Sequence, residues 1–206
     1  MTAADMDGAR RLPNSEHTSR PWRIHEIAPD FRVEDVWALP TPGGPDDFPR
    51  LVRQVASGNN GSEFSIVYRA LFAIRWKLGA LLGWDKADAG IEARVPSLCD
   101  RLPADLRDAP GPVFAGALFR SVYLTDTEWV AEIANRTMHG VMHIGWVRDG
   151  TGGYRGQMAV LVKPNGRFGK LYMAGILPFR YLLVYPALMR GVERAWRAQM
   201  GDSVAG

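Results

Sequence analysis

Two long β-type segments lie close together in the chain and constrain its fold more than any other feature. Residues 136–147 (RTMHGVMHIGWV) and 154–163 (YRGQMAVLVK) are rich in branched, aromatic and methionine side chains, and the glycine-rich residues 149–153 separate them. This spacing and composition predict a β-hairpin. The glycine-rich loop lacks the third glycine of a dinucleotide-binding loop and precedes a strand instead of a helix, so the sequence predicts no nucleotide cofactor.

Further strands are predicted at residues 31–39, where apolar and polar residues alternate, and at residues 119–124. Because the strands cluster instead of alternating with long helices, the order predicts an α+β fold with an antiparallel sheet.

Helices are predicted at residues 46–56, at residues 63–82 and after Pro178, where Pro186 should kink a long C-terminal helix. Its predicted apolar stripe consists of Leu182, Tyr185, Met189, Val192 and Trp196. The spacing of Thr125 and Glu128 matches a capping box, which predicts another short helix and explains Glu128 as a capping residue.

The composition describes one domain: 206 residues, of which 47% are hydrophobic. We expect residues 1–20 to form a mobile tail, residues 21–200 to form the domain and residues 201–206 to form a C-terminal tail. The first twenty residues lack the apolar region of a signal peptide, and a single cysteine excludes a scaffold of internal disulfides. These features favour a cytoplasmic protein.

The net charge of +3 is unevenly distributed, because residues 163–206 carry seven Lys or Arg and two Asp or Glu. The preceding residues sum to −2, so the chain is not a basic nucleic-acid-binding protein. Residues 171–189 contain only one charge and approach the length of a membrane span. Arg180 and two prolines interrupt the stretch, and we interpret it as helices that close a core or cavity.

Several separated segments resemble a bacterial domain family of unknown function, whose members occur alone or attached to proteins similar to short-chain dehydrogenases and epimerases. The resemblance spans residues 22–196 and rests on VWALPTPGGPDDFPRLV, LFAIRWKLGALLGWD, NRTMHGVMHIGWV, GGYRGQMAVLVKPNG and PFRYLLVYPALMRGVERAW. The family is similar to the helix-grip superfamily of START-like lipid-binding proteins and polyketide cyclases. This resemblance implies a curved antiparallel sheet packed around a long C-terminal helix and an apolar cavity, and it supplies no catalytic residues.

Asp35 is the first candidate catalytic residue, because it shares one face of the predicted strand with Phe31, Val33, Trp37 and Leu39. A carboxylate on an apolar face needs a partner, and in a cavity it could serve as a general acid or base. An edge-strand acid near water or paired with Arg is the alternative.

His139 and His143 are the other candidate acid–base residues, since histidine titrates near neutral pH. On a strand they lie about 13 Å apart, which is too far for one metal ion, so we expect no metal site. The apolar residues Met138, Met142, Ile144 and Trp146 alternate with them and predict that both histidines point away from the core.

A set of aromatic and methionine residues could line an apolar cavity or simply fill a core. The candidate ligand-binding residues are Trp37, Tyr68, Met142, Trp146, Met158 and Tyr185.

The sequence leaves three functional hypotheses open. The first is a protein that binds a small apolar metabolite and performs acid–base chemistry on it, such as cyclisation of a polyketide- or isoprenoid-like substrate. The second is a non-catalytic ligand carrier or regulatory module. The third is a peripheral protein of anionic membranes that uses the basic C-terminal segment.

Overall fold

The computed structural model describes residues 9–58, 95–114, 119–134, 138–164 and 180–204. Six strands lie in this part of the chain: β1 (Arg10–Leu12), β2 (Arg32–Ala38), β3 (Arg120–Leu124), β4 (Glu128–Ala134), β5 (Met138–Arg148) and β6 (Tyr154–Pro164). The α-helices are α1 (Ser15–Thr18), α2 (Ile24–Ile27), α3 (Phe48–Ala56), α4 (Ala104–Arg107) and α5 (Tyr185–Val204), with a 3₁₀ helix at Leu98–Arg101. The predicted helix at residues 63–82 lies outside the described residues.

The strands form one antiparallel sheet in the order β1-β2-β6-β5-β4-β3. The predicted hairpin is confirmed as β5 and β6, which pair without a register shift from Met138 opposite Pro164 to Arg148 opposite Tyr154. In its loop, the Asp149 carboxylate accepts hydrogen bonds from the backbone N–H groups of Thr151 and Gly153. The α+β class with an antiparallel sheet and a C-terminal helix is therefore confirmed.

Both faces of the sheet are covered. On the helix face, α3 and α5 pack against side chains that include Trp129, Ile144, Trp146 and Met158. On the opposite face, which we call the N-terminal face, α1, α2, the 3₁₀ helix and α4 cover side chains that include Val130, Val141, Ala159 and Leu161. The prediction that only one face of β5 lies in a core is therefore wrong.

The N-terminal segment, defined as residues 9–28, is ordered on the sheet. β1 pairs with β2 from Arg10 opposite Ala38 to Leu12 opposite Val36, and His17 in α1 is fully buried. The expectation of a mobile tail is thus wrong for residues 9–20, because their few apolar and aromatic side chains pack against the sheet. Residues 1–8 lie outside the described part.

A register shift between Val33 and Asp35 changes the face that β2 presents. Val33 pairs with Leu161 on the N-terminal face, whereas Asp35 and Trp37 pair with Val160 and Met158 on the helix face. The predicted strand is confirmed, but its uninterrupted alternation is wrong because a bulge turns Asp35 to the other side.

The predicted capping box forms a turn instead of a helix. Thr125 Oγ1 accepts hydrogen bonds from the N–H groups of Thr127 and Glu128, and the chain then enters β4. A threonine oxygen can satisfy the same backbone donors in a tight turn between strands, so the sequence signal was ambiguous.

The C-terminal helix begins with a π-helical turn, Arg180–Val184, directly before Pro186. Pro186 lacks the N–H group that an α-helix would direct to residue 182, so the wider turn relieves the conflict that predicted a kink. Leu182 is 74% exposed and does not belong to the buried stripe, whereas Tyr185, Met189, Val192 and Trp196 are buried. The helix continues to Val204, beyond the predicted domain end at residue 200.

Candidate functional site

Asp35 lies on the helix face with no exposed surface, and two tyrosines of the C-terminal helix bind its carboxylate. The Tyr185 hydroxyl donates to Oδ2 at 2.7 Å, and the Tyr181 hydroxyl donates to Oδ1. The bulge in β2 aims the carboxylate at the helix, and the π-helical turn places Tyr181 beside it. A buried carboxylate is stabilised by such donors, and each phenol holds a proton next to the charge.

Arg11 reaches the same carboxylate from β1. Its Nη2 lies 3.6 Å from Asp35 Oδ1, and its guanidinium lies 4.7 Å from the centre of the Tyr181 ring. Arg11 is 54% exposed, so this contact is at the solvent edge of the site. The cation therefore closes one side of the group formed by Asp35, Tyr181 and Tyr185.

A half-buried apolar patch adjoins this group. Asp35, Val160 and Met142 lie side by side on adjacent strands, and the Trp37 ring packs 4.7 Å from the Tyr185 ring. Trp37, Met142 and Val160 are each partly exposed. Trp37 Nε1 is buried and has no hydrogen-bond partner in the described part of the chain, so a donor lies on the inner side of this patch.

The remaining predicted ligand-binding residues differ in position. Met158 is buried between Trp37 and Ile144 in the sheet, next to the patch. Trp146 lies deeper, where its indole N–H donates to the Gly44 carbonyl and its ring packs against Phe48. It therefore belongs to the core. Tyr68 lies outside the described residues.

His139 is not turned outward as predicted but is buried on the N-terminal face. Its Nε2 lies 2.8 Å from Glu132 Oε2, and this carboxylate also accepts hydrogen bonds from the Ser97 hydroxyl at 2.5 Å and the Leu98 N–H at 3.0 Å. Burial would raise the pKa of Glu132, but the hydrogen bonds from His139, Ser97 and Leu98 together hold that pKa below its usual value. This pair fastens the 3₁₀ helix to the sheet.

His143 is also buried on the N-terminal face, within a longer chain of polar groups. Its Nε2 lies 2.9 Å from Glu128 Oε2, and its Nδ1 lies 3.2 Å from Nε2 of His17. Glu128 in addition accepts hydrogen bonds from the Tyr123 hydroxyl and the Arg23 N–H, so it is no helix cap. Burial and, to a smaller extent, the proximity of Glu128 raise the pKa of Tyr123, so its phenol is neutral.

The three candidate catalytic residues thus lie on opposite faces of the sheet. Asp35 is on the helix face, and both histidines are on the N-terminal face, so one small molecule cannot contact all three. Within the described residues no group of three or more His, Cys, Asp or Glu side chains has a geometry suited to a metal ion.

A pocket of about 490 Å³ lies beside the N-terminal segment, with His25, Phe31 and Leu161 in its lining. None of the predicted ligand-binding residues that the structure describes lines it. The described part of the chain also contains no helix that is both long and apolar enough to cross a membrane.

Sequence reasoning missed the partners of each candidate. Tyr181 and Tyr185 are four residues apart on a helix expected to pack on the sheet, which was the available signal for a partner of Asp35. Glu128, Val130 and Glu132 share one face of β4. Because the valine between the two carboxylates is apolar, this face should have indicated that buried hydrogen-bond donors pack against the two carboxylates. His17 had no sequence signal, because its segment has few apolar residues.

A family model matches residues 27–187 and carries the description "Protein of unknown function (DUF2867)". The chain belongs to this family. The match includes Asp35 and both tyrosines, whereas most of the N-terminal segment precedes it. Neither a curated protein nor a solved structure matches the chain.

Proposed function

We propose that this DUF2867 protein binds a small, largely apolar molecule that carries a carbonyl group and promotes proton transfer on it. The observation that carries the proposal is the buried Asp35 carboxylate with two tyrosine hydroxyls beside a half-buried patch of Trp37, Met142 and Val160. We further propose that the sheet and α5 form a helix-grip arrangement, with the ligand between them.

The polar groups match a carbonyl compound. The indole N–H of Trp37 can donate to the carbonyl oxygen, and an apolar body would cover Met142 and Val160. A carbonyl makes the adjacent C–H acidic, and Asp35 is the base that could remove that proton. Tyr181 or Tyr185 could then donate a proton to the developing oxyanion.

The same groups can account for every bond and proton in an intramolecular cyclisation of the aldol type. The carbon–hydrogen bond breaks as its proton moves to Asp35, and the resulting enolate carbon forms a bond to a second carbonyl carbon. The oxygen of that second carbonyl takes its proton from a tyrosine, and proton transfer from Asp35 through the hydrogen bond restores the phenol. No redox partner is required.

The experiment uses 2-acetylnaphthalene, an apolar aromatic ketone with exchangeable methyl protons. Binding is followed through the methyl signals of Met142 and Met158 in NMR spectra, with the exposed Met200 of α5 as the internal control. Catalysis is followed as exchange of the ketone methyl protons for deuterium in D₂O.

We expect the Met142 and Met158 signals to shift and the Met200 signal to remain, with exchange faster than in buffer. Asp35→Asn should retain binding and lose exchange by about 100-fold or more, the usual contribution of a general base. Binding without protein-catalysed exchange would favour the carrier hypothesis over catalysis. No shift at either methionine would contradict the proposed site itself.

A further inference from the structure

The N-terminal segment contacts both faces of the sheet. From β1, Arg11 reaches Asp35 and Tyr181 on the helix face, and six residues later His17 is inserted into the N-terminal face against His143. We propose that this segment is a strap fastened by the hydrogen bond between His17 and His143, and that protonation of this pair releases it and withdraws Arg11 from Asp35. The regulatory part rests on the proposed function, whereas the release itself does not.

The hydrogen-bond partners determine the protonation state of the fastening. Glu128 is a carboxylate that accepts, so His143 donates from Nε2 and neutral His143 presents a lone pair at Nδ1. His17 must therefore donate from Nε2, which leaves its own Nδ1 as an acceptor. That atom is buried and has no hydrogen-bond partner among the described residues.

An added proton has no favourable position in the series of hydrogen bonds that joins Glu128, His143 and His17. If it binds His17 directly, it occupies Nδ1. If it binds His143 at Nδ1, the hydrogen bond survives only when His17 shifts its own proton from Nε2 to Nδ1. Both routes place an N–H group at His17 Nδ1, where the described residues offer no acceptor, so protonation opposes the docked state.

The surrounding charges act in the same direction. Burial lowers the pKa of His17 to about 2, and the proximity of His143, His25 and Arg20 contributes. Burial also lowers the pKa of His143, although its hydrogen bond to Glu128 opposes this effect.

From Trp22 onwards the strap is buried in the core, whereas the part that carries Arg11 has few polar attachments. The Asn14 side-chain amide donates to the Val33 carbonyl at 2.8 Å, and the Gln157 side-chain amide donates to the Glu16 carbonyl at 3.5 Å. β1 pairs with β2 over only three residues, Arg10–Leu12, at the edge of the sheet. Glu128 also accepts the hydrogen bond from the Arg23 N–H, so the same carboxylate secures the strap directly at Arg23 and, through His143, at His17. Loss of the His17 contact therefore weakens the attachment that holds Arg11 at the site.

The expected pH response follows from linkage. A released histidine titrates near its ordinary pKa of 6.5, whereas the docked pair stays neutral. The ratio of released to docked strap should therefore rise about tenfold per pH unit below 6.5 for one histidine, and more steeply where both are protonated.

Hydrogen–deuterium exchange with mass spectrometry tests the release in the full chain. The readout is the protection of the β1 amides at pH 7.5, 6.5 and 5.5, divided by intrinsic exchange rates, with the amides of β5 as the internal reference. We expect β1 protection at pH 5.5 to be about tenfold lower than at pH 7.5, with β5 unchanged.

Two variants separate the fastening from a general effect of acid. In His17→Gln the amide N–H₂ group can still donate to His143 but cannot take up a proton, so the change in β1 protection between pH 7.5 and 5.5 should be about tenfold smaller than in the wild type. His25→Gln is the matched control, since His25 hydrogen-bonds to the backbone carbonyl of His17 and does not take part in the bond between His17 and His143, so this variant should retain most of the wild-type dependence. Protection of β1 that is independent of pH, or an undiminished dependence in His17→Gln, would overturn the proposal.

The regulatory part is tested with 2-acetylnaphthalene at pH 7.5 and 5.5. Arg11→Gln at pH 7.5 should reproduce the change in ketone binding or exchange that the wild type shows at pH 5.5. If the ketone binds at neither pH while β1 protection still falls, the proposed function fails and the release stands. If β1 stays protected at pH 5.5 while the ketone binds, the strap proposal fails alone.

Discussion

Gly145 determines how closely Trp22 approaches the sheet. A β-carbon at this position would lie 2.7 Å from two atoms of the Trp22 ring. That ring also lies 4.9 Å from the His143 ring, so one glycine admits the indole that covers the buried histidine. The close approach explains why a strand that is otherwise rich in large side chains contains glycine here.

Gly145→Ala should therefore lower the free energy of unfolding by about 1–3 kcal/mol, the usual cost of inserting a methyl group into a packed region. The measurement is urea unfolding at pH 7.5. Gly150→Ala is the matched control, because a β-carbon at Gly150 meets no atom within 4 Å. Equal stability of the two variants would show that Trp22 does not pack against Gly145.

Individual residues also show where sequence reasoning succeeds. Asp35 could be identified because a charge on an apolar strand face needs a partner, and this argument requires no knowledge of the fold. The spacing of Tyr181 and Tyr185 places both on one helix face, but it does not show that this face meets Asp35, which is 146 positions from Tyr181. Such pairing depends on how the helix docks, which side-chain periodicity does not determine.

At the level of elements, the π-helical turn before Pro186 sets the angular position of Tyr181 relative to Tyr185. The turn inserts one additional residue into the helix, and each residue of an α-helix rotates by about 100°. Without the turn, the Tyr181 side chain would point about 100° away from its present direction. Pro186 therefore contributes to the site although its ring does not bind Asp35.

Pro186→Ala should allow an α-helical turn and break the hydrogen bond between Tyr181 and Asp35 while retaining that of Tyr185. A double-mutant cycle with Tyr181→Phe measures this coupling through urea unfolding. In the wild-type background Tyr181→Phe should cost about 1.5–3 kcal/mol, because the hydroxyl donates to a buried carboxylate. In the Pro186→Ala background the cost should fall towards zero, and an equal cost in both would contradict the prediction.

The elements that were predicted correctly are those whose signals are local. The hairpin of β5 and β6 follows from two apolar segments and a glycine-rich loop, and α3 follows from the two acids, Asp46 and Asp47, that precede it. The bulge in β2 and the strand after Thr125 were missed. In both places neighbouring strands determine the backbone, and the same residues would be compatible with another local structure.

Across the whole molecule, the sheet is buried on both sides by elements from opposite ends of the chain. The N-terminal segment covers one face and the C-terminal helix covers the other. This arrangement was not predicted because His139 and His143 made one face of the strand look polar. They are instead paired with Glu132 and Glu128 of β4, and His143 also contacts His17 of the N-terminal segment, which allows a polar face to be buried.

The buried histidines make the stability of the folded protein dependent on pH. His17 and His143 are neutral when folded, since burial lowers the pKa of each, and the unfolded chain binds protons near pH 6.5. Below that pH the unfolded state holds more protons, so stability is lost as the pH falls. Asp30, whose hydrogen bond from Arg101 lowers its pKa, loses its contribution only near and below its ordinary pKa of 3.8.

The free energy of unfolding should therefore decrease by about 2 kcal/mol between pH 7.5 and 5.0 from His17 alone, with His143 acting in the same direction. Urea unfolding at intervals of half a pH unit measures this decrease, and its slope gives the number of protons taken up on unfolding. His17→Gln should remove the part of this decrease that one histidine contributes, whereas His25→Gln should leave most of the decrease in place. A free energy that stays constant or rises as the pH falls from 7.5 to 5.0 would contradict neutral burial of the pair, since only a preference of the unfolded chain for protons produces the expected sign.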